Sequence, residues 1–327
     1  MLPLGVVIPT RNSMPYLARH VDGLRPWLDL AQELVIVDSF SSDGTVEYLR
    51  QHLKHSRVTY LTHPPGLYAS WNHGIRQITA KYLFIATTGD VISRAGITHL
   101  VETAEALDCE VVISKPEFQD QRGRAVDITW PIDDVIVSLG IRAPRRLHKL
   151  EALVFAAVHS SEALLGSCAS NVFRTEVVQR FPFPTNFGTA GDGAWGLEHA
   201  PELVWAVTPE RFSTFLIHPS TGSDRLRTER APQWNQVLRE ATERWLQSGA
   251  VTGEELARIH WQKLLDTSSR YLQRKAALDQ MRHQRLPWVL RPSAWVIRIQ
   301  RDRVRRRMNT LRDLGLQTTP PSEASVG

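Results

Sequence analysis

Polar and acidic side chains follow short apolar runs in the first third of this 327-residue chain. Three such segments are Pro9–Asn12, Asp38–Thr45 and Thr87–Asp90. The carboxylate of Asp38 could accept hydrogen bonds from a base N–H group or a ribose hydroxyl, although Asp is also a common turn residue. Asp90, in the third segment, could lie in the first turn of the next helix. Together the segments indicate a nucleotide site.

The apolar runs before these segments alternate with stretches of helical periodicity. Strands are predicted at residues 4–8, 34–37, 58–61, 82–86 and 110–114. Ser13, Asp43 and Ser93 are predicted to cap three of the intervening helices, and a fourth helix is predicted at 68–79. This order predicts βαβ units in an α/β fold, with a mainly parallel sheet flanked by helices and ligands beyond the carboxyl ends of the strands.

The rest of the chain is less regular. Residues 115–165 support no assignment, and the chain after them is predicted to contain strands at 166–173, 203–207 and 212–217 and short helices near 175–180 and 188–200. The pattern is helical from Pro232, and the tail has the composition of a disordered segment. We expect a domain at 1–230, with a nucleotide-binding half at 1–114 and an acceptor half at 115–230. A helical C-terminal extension at 231–315 and a disordered tail at 316–327 are predicted to follow.

The net charge of +5 is concentrated near the C-terminus. Residues 285–315 contain nine Arg and two Asp, a local charge of +7, so the remaining residues carry −2. A body of that charge argues against binding to nucleic acid. The amphipathic, Trp-containing segment 288–312 could lie on an anionic membrane surface, or it could pack on its own domain or on a partner.

The two cysteines and the N-terminus indicate the compartment. Cys109 and Cys168 match no metal-binding or redox spacing, as is typical of a cytosolic protein with reduced thiols. The first ten residues are predicted to form a buried strand rather than a signal peptide, and no apolar run is long enough to span a bilayer. We therefore expect a cytoplasmic protein, with peripheral contact to the inner face of the membrane as an open alternative.

Four motifs occur in a fixed order in the first half of the chain. Val7–Asn12 matches a strand ending Pro-Thr-x-Asn, and Val37–Thr45 compares with an Asp-x-Gly-Ser-x-Asp-Gly-Thr turn. Gly66–Ile75 compares with Gly-(Ile/Leu)-Tyr-x-x-x-Asn-x-Gly-Ile, and a fourth strand ends at Thr87–Asp90. In this order and spacing the motifs resemble those of the inverting glycosyltransferases of family 2, which have the GT-A fold.

The resemblance covers residues 4–93 and returns between 166 and 223. It implies a hexosyltransferase-type reaction that moves a sugar from a nucleotide-sugar donor to an acceptor hydroxyl, with a growing surface glycan or a lipid-linked glycan as acceptor. It also implies a donor site formed by Pro9, Thr10, Arg11, Asn12, Asp38, Ser39, Tyr68, Asn72, Thr88, Gly89 and Asp90.

The metal motif departs from the usual family pattern. Thr87 and Gly89 stand where the family has Asp-x-Asp, and Asp90 remains, as in a branch of the family that reads Asn-Ser-Gly-Asp. The resemblance implies that Asp90 binds Mg²⁺ or Mn²⁺ on the donor diphosphate. It also implies that His218, in a segment resembling His-x-x-Ser, approaches the metal or the diphosphate, with a solvent-facing His as the alternative.

The segment Gly188–Leu197 resembles a family segment in which Glu-Asp precedes a helix and the Asp is the catalytic base. Gly191 stands in place of the Glu, and Asp192 remains. Direct displacement at the anomeric carbon needs one carboxylate to take the acceptor proton. Asp192 is therefore the predicted base, with a helix cap as its alternative role and Glu198 as a fallback base.

Two other functions stay open at this stage. A non-catalytic protein of the same fold that binds nucleotide or glycan would fit the depleted metal motif. A nucleotidyltransferase would share the sheet and the use of metal, but Pro9–Asn12 is not the Gly-rich, basic loop that such enzymes carry after the first strand.

Overall fold

A computed structural model of the chain describes residues 1–126, 130–158, 165, 168–217 and 234–266. Its first part alternates strands with helices, which confirms the predicted α/β class. The elements of this part are β1 (Leu4–Thr10), α1 (Met14–Leu24), β2 (Glu33–Asp38), α2 (Thr45–His52), β3 (Val58–Thr62), α3 (Leu67–Ile75), β4 (Tyr82–Ile85), β5 (Val91–Ile92), α4 (Arg94–Ala106) and β6 (Val111–Ile113).

The middle of the chain, which the sequence left unassigned, forms short elements. They are β7 (Glu117–Gln119), β8 (Ala125–Val126), α5 (Pro131–Leu139), β9 (Arg145–Arg146) and α6 (Lys149–Val158). Strands of two or three residues are too short to show the alternation on which a sequence prediction depends. The elements that follow are β10 (Asn171–Arg174), α7 (Thr175–Arg180), α8 (Gly191–Glu198), β11 (Trp205–Val207), β12 (Ser213–Leu216), α9 (Trp234–Ser248) and α10 (Gly253–Arg258).

An eight-stranded sheet in the order β3-β2-β1-β4-β10-β6-β11-β9 forms the centre of the molecule. Strand β1 is parallel to β2 and β4, and β10 is antiparallel to both of its neighbours. Side chains of β1 are buried on both faces, with Val7 in one hydrophobic cluster and Ile8 in the other, as expected for a sheet covered by helices on both sides. Because Thr10 pairs with Asp38, the loops after β1 and β2 lie side by side.

A second sheet of four strands, in the order β5-β12-β7-β8, begins at the loop after β4. Ser213 of β12 pairs with Ile92 of β5, and β12 runs parallel to β7. The backbone N–H of Leu216 in β12 donates to the carboxylate of Asp90 at 3.1 Å. The small sheet therefore binds the loop at Thr87–Asp90 to a strand from the second half of the chain.

Asp43 links the starts of α1 and α2, although the N-cap residue of α2 is Gly44, at φ +88°. One carboxylate oxygen accepts from the backbone N–H of Met14 at 3.1 Å, and the other accepts from the backbone N–H of Thr45 at 3.1 Å. Ser13 does not cap α1 with its hydroxyl as predicted; its backbone N–H instead donates to Oγ1 of Thr45 at 2.8 Å. The two helix starts are therefore fixed to each other.

The predicted cap at Ser93 is confirmed, because its hydroxyl accepts from the backbone N–H of Gly96 at 3.0 Å. Further along, helix α9 packs against α8: the indole N–H of Trp245 donates to the backbone oxygen of Glu198 at 2.8 Å. Residues 234–266 thus share a hydrophobic core with the first sheet. The boundary at residue 230 stays a prediction, and the segments 288–312 and 316–327 lie outside the described residues.

Candidate active site

A cavity of about 310 Å³ lies at the carboxyl ends of β1, β2 and β4. Five residues predicted to bind the nucleotide sugar line it: Pro9, Thr10, Arg11, Ser39 and Thr88. Helix α3 forms one wall with Leu67, Ser70 and Trp71, whose i, i+3, i+4 spacing puts them on one helical face. These three residues were not assigned from the sequence, although their spacing was the available signal. Ser13, Gly66 and Thr87 complete the lining.

A wider hollow of about 520 Å³ lies between the end of α2 and the start of β3, where Arg50, Lys54, His55 and Tyr60 line it. This hollow is at the amino end of β3, whereas the loops predicted to bind ligand follow the carboxyl ends of the strands. We assign the active site to the smaller cavity because ligands of parallel α/β sheets bind beyond the carboxyl ends of the strands.

The loops after β1 and β2 are held together by Asn12 and Asp38. The amide oxygen of Asn12 accepts from the backbone N–H of Ser42 at 2.9 Å, and its backbone N–H donates to the hydroxyl of Ser41 at 2.8 Å. The carboxylate of Asp38, which is 5% exposed, accepts from the hydroxyl of Ser41 at 2.5 Å and from its backbone N–H at 2.9 Å. Both side chains therefore shape the loops, and neither is among the residues that line the cavity.

Asn72 has a similar structural setting on the neighbouring face of α3. Its amide nitrogen donates to the backbone oxygen of Phe183 at 2.7 Å, and its amide oxygen accepts from the backbone N–H of Phe183 at 3.0 Å. The residue is 8% exposed. Asn72 therefore anchors the loop before α8 and does not line the cavity.

Asp90 lies in the loop after β4 and is 9% exposed. Its Oδ2 accepts from the hydroxyl of Thr87 at 2.7 Å, and its Oδ1 accepts from the backbone N–H of Leu216. Burial raises the pKa of Asp90 to about 7, against the opposing effect of these hydrogen bonds and of the nearby Arg19 charge. Without a bound ligand, the carboxyl group therefore holds its proton to a much higher pH than an exposed Asp does.

The backbone oxygen of Gly89 accepts from Nε of Arg19 at 3.2 Å, so this residue also contributes to the loop rather than to the cavity lining. The residues that the structure describes contain no group of three or more His, Cys, Asp and Glu side chains that could hold a metal ion. His218 lies outside them. Asp90 is not among the residues that line the cavity, but each of its carboxylate oxygens accepts one hydrogen bond and retains a second lone pair that could bind a cation.

Asp192 lies in the first turn of α8 and is half-buried. Its Oδ1 accepts from the hydroxyl of Tyr68 at 2.8 Å and from the backbone N–H of Gly193 at 2.8 Å. Burial, with a smaller contribution from Asp192, raises the pKa of the Tyr68 hydroxyl far above its usual value. Burial likewise raises the pKa of the Cys168 thiol, and Asp192 adds to the effect. Both groups therefore remain protonated beside the carboxylate.

Asp192 contacts Tyr68 of α3, the helix whose Leu67, Ser70 and Trp71 line the cavity. The ring of Tyr68 meets that of Trp71 edge to face, with centroids 4.9 Å apart, and Trp71 lines the cavity. The fallback base Glu198 lies at the other end of α8, where its carboxylate is 3.4 Å from the guanidinium of Arg244. Asp192 is thus the carboxylate of α8 on the side of the cavity.

No helix in the described part of the chain is both long and apolar enough to cross a membrane.

Residues 5–150 match the family model of glycosyl transferase family 2, which confirms the resemblance inferred from the four motifs. No curated protein matches the sequence.

One similar solved structure is the mannosyltransferase PcManGT from Pyrobaculum calidifontis in complex with GDP-Man and Mn²⁺, at 17% identity and a TM-score of 0.54. The match covers 97% of this chain and 88% of that one. Another is S. aureus TarS 1-349 in complex with UDP-GlcNAc, at 15% identity, a TM-score of 0.52 and coverage of 95% and 90%. The fold is therefore GT-A, as predicted.

Proposed function

We propose that this chain, a glycosyltransferase whose residues 5–150 match family 2, moves a sugar from a nucleotide-diphosphate sugar to an acceptor hydroxyl with inversion at the anomeric carbon. The observation that carries the mechanism is the setting of Asp192, a half-buried carboxylate beside the helix that walls the cavity. A base in this position takes the proton of the acceptor hydroxyl, whose oxygen bonds to the anomeric carbon as the bond to the nucleoside diphosphate breaks. One displacement without a covalent intermediate inverts the configuration.

The cavity at the carboxyl ends of β1, β2 and β4 is the proposed site of the donor. Thr10, Ser39 and Thr88 line it with Arg11, whose positive charge would lie beside the diphosphate. Asp38 acts here by holding the loop after β2, and a direct contact to the base or ribose is proposed from the motif alone. Binding of GDP-Man by PcManGT and of UDP-GlcNAc by TarS supports a nucleotide-sugar donor.

We propose that a divalent cation, Mg²⁺ or Mn²⁺, accompanies the donor diphosphate. Asp90 would be the protein ligand within the described residues, and His218 the second ligand proposed from the sequence. When bound, such a cation neutralises charge on the diphosphate as the nucleotide departs. Phosphate and water oxygens would complete the coordination, as Mg²⁺ commonly allows. The complex of PcManGT with Mn²⁺ supports this part of the proposal.

The acceptor that we propose is a surface glycan or a glycolipid at the cytoplasmic face of a membrane. The support is the sequence of the basic segment 288–312, whose Arg side chains would favour an anionic surface. A charge-reversed variant of this segment would lose its binding to anionic vesicles at low salt if the proposal is correct. Unchanged binding would remove the membrane contact from the proposal without affecting the transfer reaction.

The first experiment is calorimetric titration of the full chain with UDP, GDP, TDP and CMP, in Mn²⁺ and in EDTA. We expect one nucleoside diphosphate to bind and to bind more weakly in EDTA and in an Asp90→Ala variant. We expect Asp192→Asn to bind that nucleotide normally and to lose transfer by about 10²- to 10⁴-fold, the usual contribution of a general base.

The product should carry the anomeric configuration opposite to that of the donor, which NMR of the isolated product measures. Retained configuration would refute the single displacement. Normal nucleotide binding with no transfer by the wild-type chain to any glycan acceptor would favour the non-catalytic binding protein. No binding of any nucleotide by the folded chain would refute the donor site.

A further inference from the structure

The hydroxyl of Tyr68 lies between two acceptors on the segment that carries Asp192. It is 2.8 Å from Oδ1 of Asp192 and 3.0 Å from the backbone oxygen of Thr189. A phenol has one proton, and a charged carboxylate is a stronger acceptor than a neutral carbonyl. The Tyr68 hydroxyl therefore donates its hydrogen bond to Asp192 while that carboxylate is ionised. Once Asp192 has been protonated, the hydroxyl can donate to the backbone oxygen of Thr189 instead.

Packing holds the Tyr68 ring in one orientation. The residue is 3% exposed, and its ring contacts those of Trp71 and Phe183, with centroids 4.9 and 5.9 Å away. Because its pKa is raised far above the usual value, the hydroxyl stays protonated throughout the pH range of an enzyme assay. Tyr68 thus supplies a hydrogen bond and does not exchange a proton with the acceptor.

Gly191 leaves the space that the Tyr68 ring fills. A Cβ atom at this position would lie 2.5 Å from Cδ2 of Tyr68 and 2.5 Å from the backbone oxygen of Pro184. The backbone of Gly191 has φ −66° and ψ −34°, which any residue adopts in a helix, so it is the lack of space that requires glycine. The family segment has Glu at the position before the catalytic Asp, and this chain has Gly191 there. The space beside Asp192 is filled by Tyr68, whose hydroxyl donates to the carboxylate.

We propose that Tyr68 is a positioning residue that fixes the carboxylate of Asp192 in the orientation in which it takes the acceptor proton. The inference rests on the proposed role of Asp192 as the base, and it replaces the donor contact that the sequence assigned to Tyr68. Two donors, the Tyr68 hydroxyl and the backbone N–H of Gly193, converge on Oδ1 of Asp192. Together they fix the plane of the carboxylate and favour its ionised form.

The test is the pH dependence of kcat/KM in Tyr68→Phe, which keeps the ring packed on Gly191 and removes only the hydroxyl. We expect the acidic limb of the profile to move up by about one pH unit and kcat to fall by about 10- to 100-fold, because the base is less well oriented and more easily protonated. Affinity for the nucleoside diphosphate should stay unchanged. The control is Tyr48→Phe on α2, where the ring stacks on His52. This variant should leave the acidic limb and kcat at wild-type values.

Gly191→Ala tests the same contact without changing either polar group. Its new methyl crowds both the Tyr68 ring and the backbone oxygen of Pro184, so we expect the same shift of the acidic limb together with a lower thermal midpoint. A Tyr68→Phe enzyme with the wild-type pH profile and kcat, beside an inactive Asp192→Asn, would overturn the inference and leave the proposed base in place. Wild-type kcat in Asp192→Asn would overturn the proposed base, and the role of Tyr68 with it.

Discussion

Replacing Asp90 with Asn removes a titrating group from a buried position at little change in shape. Burial raises the pKa of Asp90 from 3.8 to about 7 in the folded chain, whereas in the unfolded chain the carboxyl is exposed to water. This difference corresponds to about 4 kcal/mol of folding free energy at pH values above 7. The amide oxygen of Asn can still accept from the backbone N–H of Leu216, and the amide nitrogen can donate to the hydroxyl of Thr87.

The direction of the pH dependence follows from which state, folded or unfolded, binds the Asp90 proton more tightly. Because the folded pKa is the higher one, the stabilising effect of protonation is complete below pH 3.8 and is lost as the pH rises to about 7. The neutral Asn side chain has no such dependence. The free energy of unfolding of Asp90→Asn, minus that of the wild type, should therefore increase by about 4 kcal/mol between pH 4 and pH 8.

Urea unfolding at a series of pH values, in EDTA and without donor, measures this difference directly. Titrating groups that do not contact Asp90 act in both proteins and cancel in the comparison. The matched control is Asp22→Asn, which makes the same substitution at a side chain that is 66% exposed. A difference for Asp90→Asn that is the same at pH 4 and pH 8 would refute the reasoning, since it would mean that burial does not hold the proton on Asp90.

Two further predictions concern packing and charge beneath the site. A Cβ atom at Gly74 of α3 would lie 2.7 Å from a methyl group of Val37, so Gly74→Ala should lower the free energy of unfolding by about 1–3 kcal/mol in urea. Gly253→Ala, where no atom lies within 4 Å of the added methyl, should not lower it. Replacing Lys115, whose side chain is 6% exposed and 2.6 Å from the carboxylate of Asp133, with Met should cost about 1–3 kcal/mol, because the half-buried carboxylate loses its nearer cation and keeps only Arg211, 3.6 Å away. A thermal midpoint equal to that of the wild type would contradict this last prediction.

The sequence predicted the parts of the fold that depend on local pattern. Continuous apolar runs separated by helical repeats predicted the parallel strands, and the side-by-side loops at Thr10 and Asp38 followed from that order. The interpretation of Asp38 as a turn residue was also available locally, because its partner Ser41 is three residues away. Helical spacing in α3 likewise contained the information that Leu67 and Trp71 share a face.

Only the tertiary structure decided what each face of those elements meets. Asp90 accepts from an N–H group 126 residues away, and Tyr68 donates to a carboxylate 124 residues away. The spacing of residues along a helix or loop fixes the direction of a side chain relative to its own element, but the partner depends on how distant elements pack. For that reason the sequence identified Asp90, Asp192 and Tyr68 as candidates, while the burial of the first and the pairing of the other two depended on the folded chain.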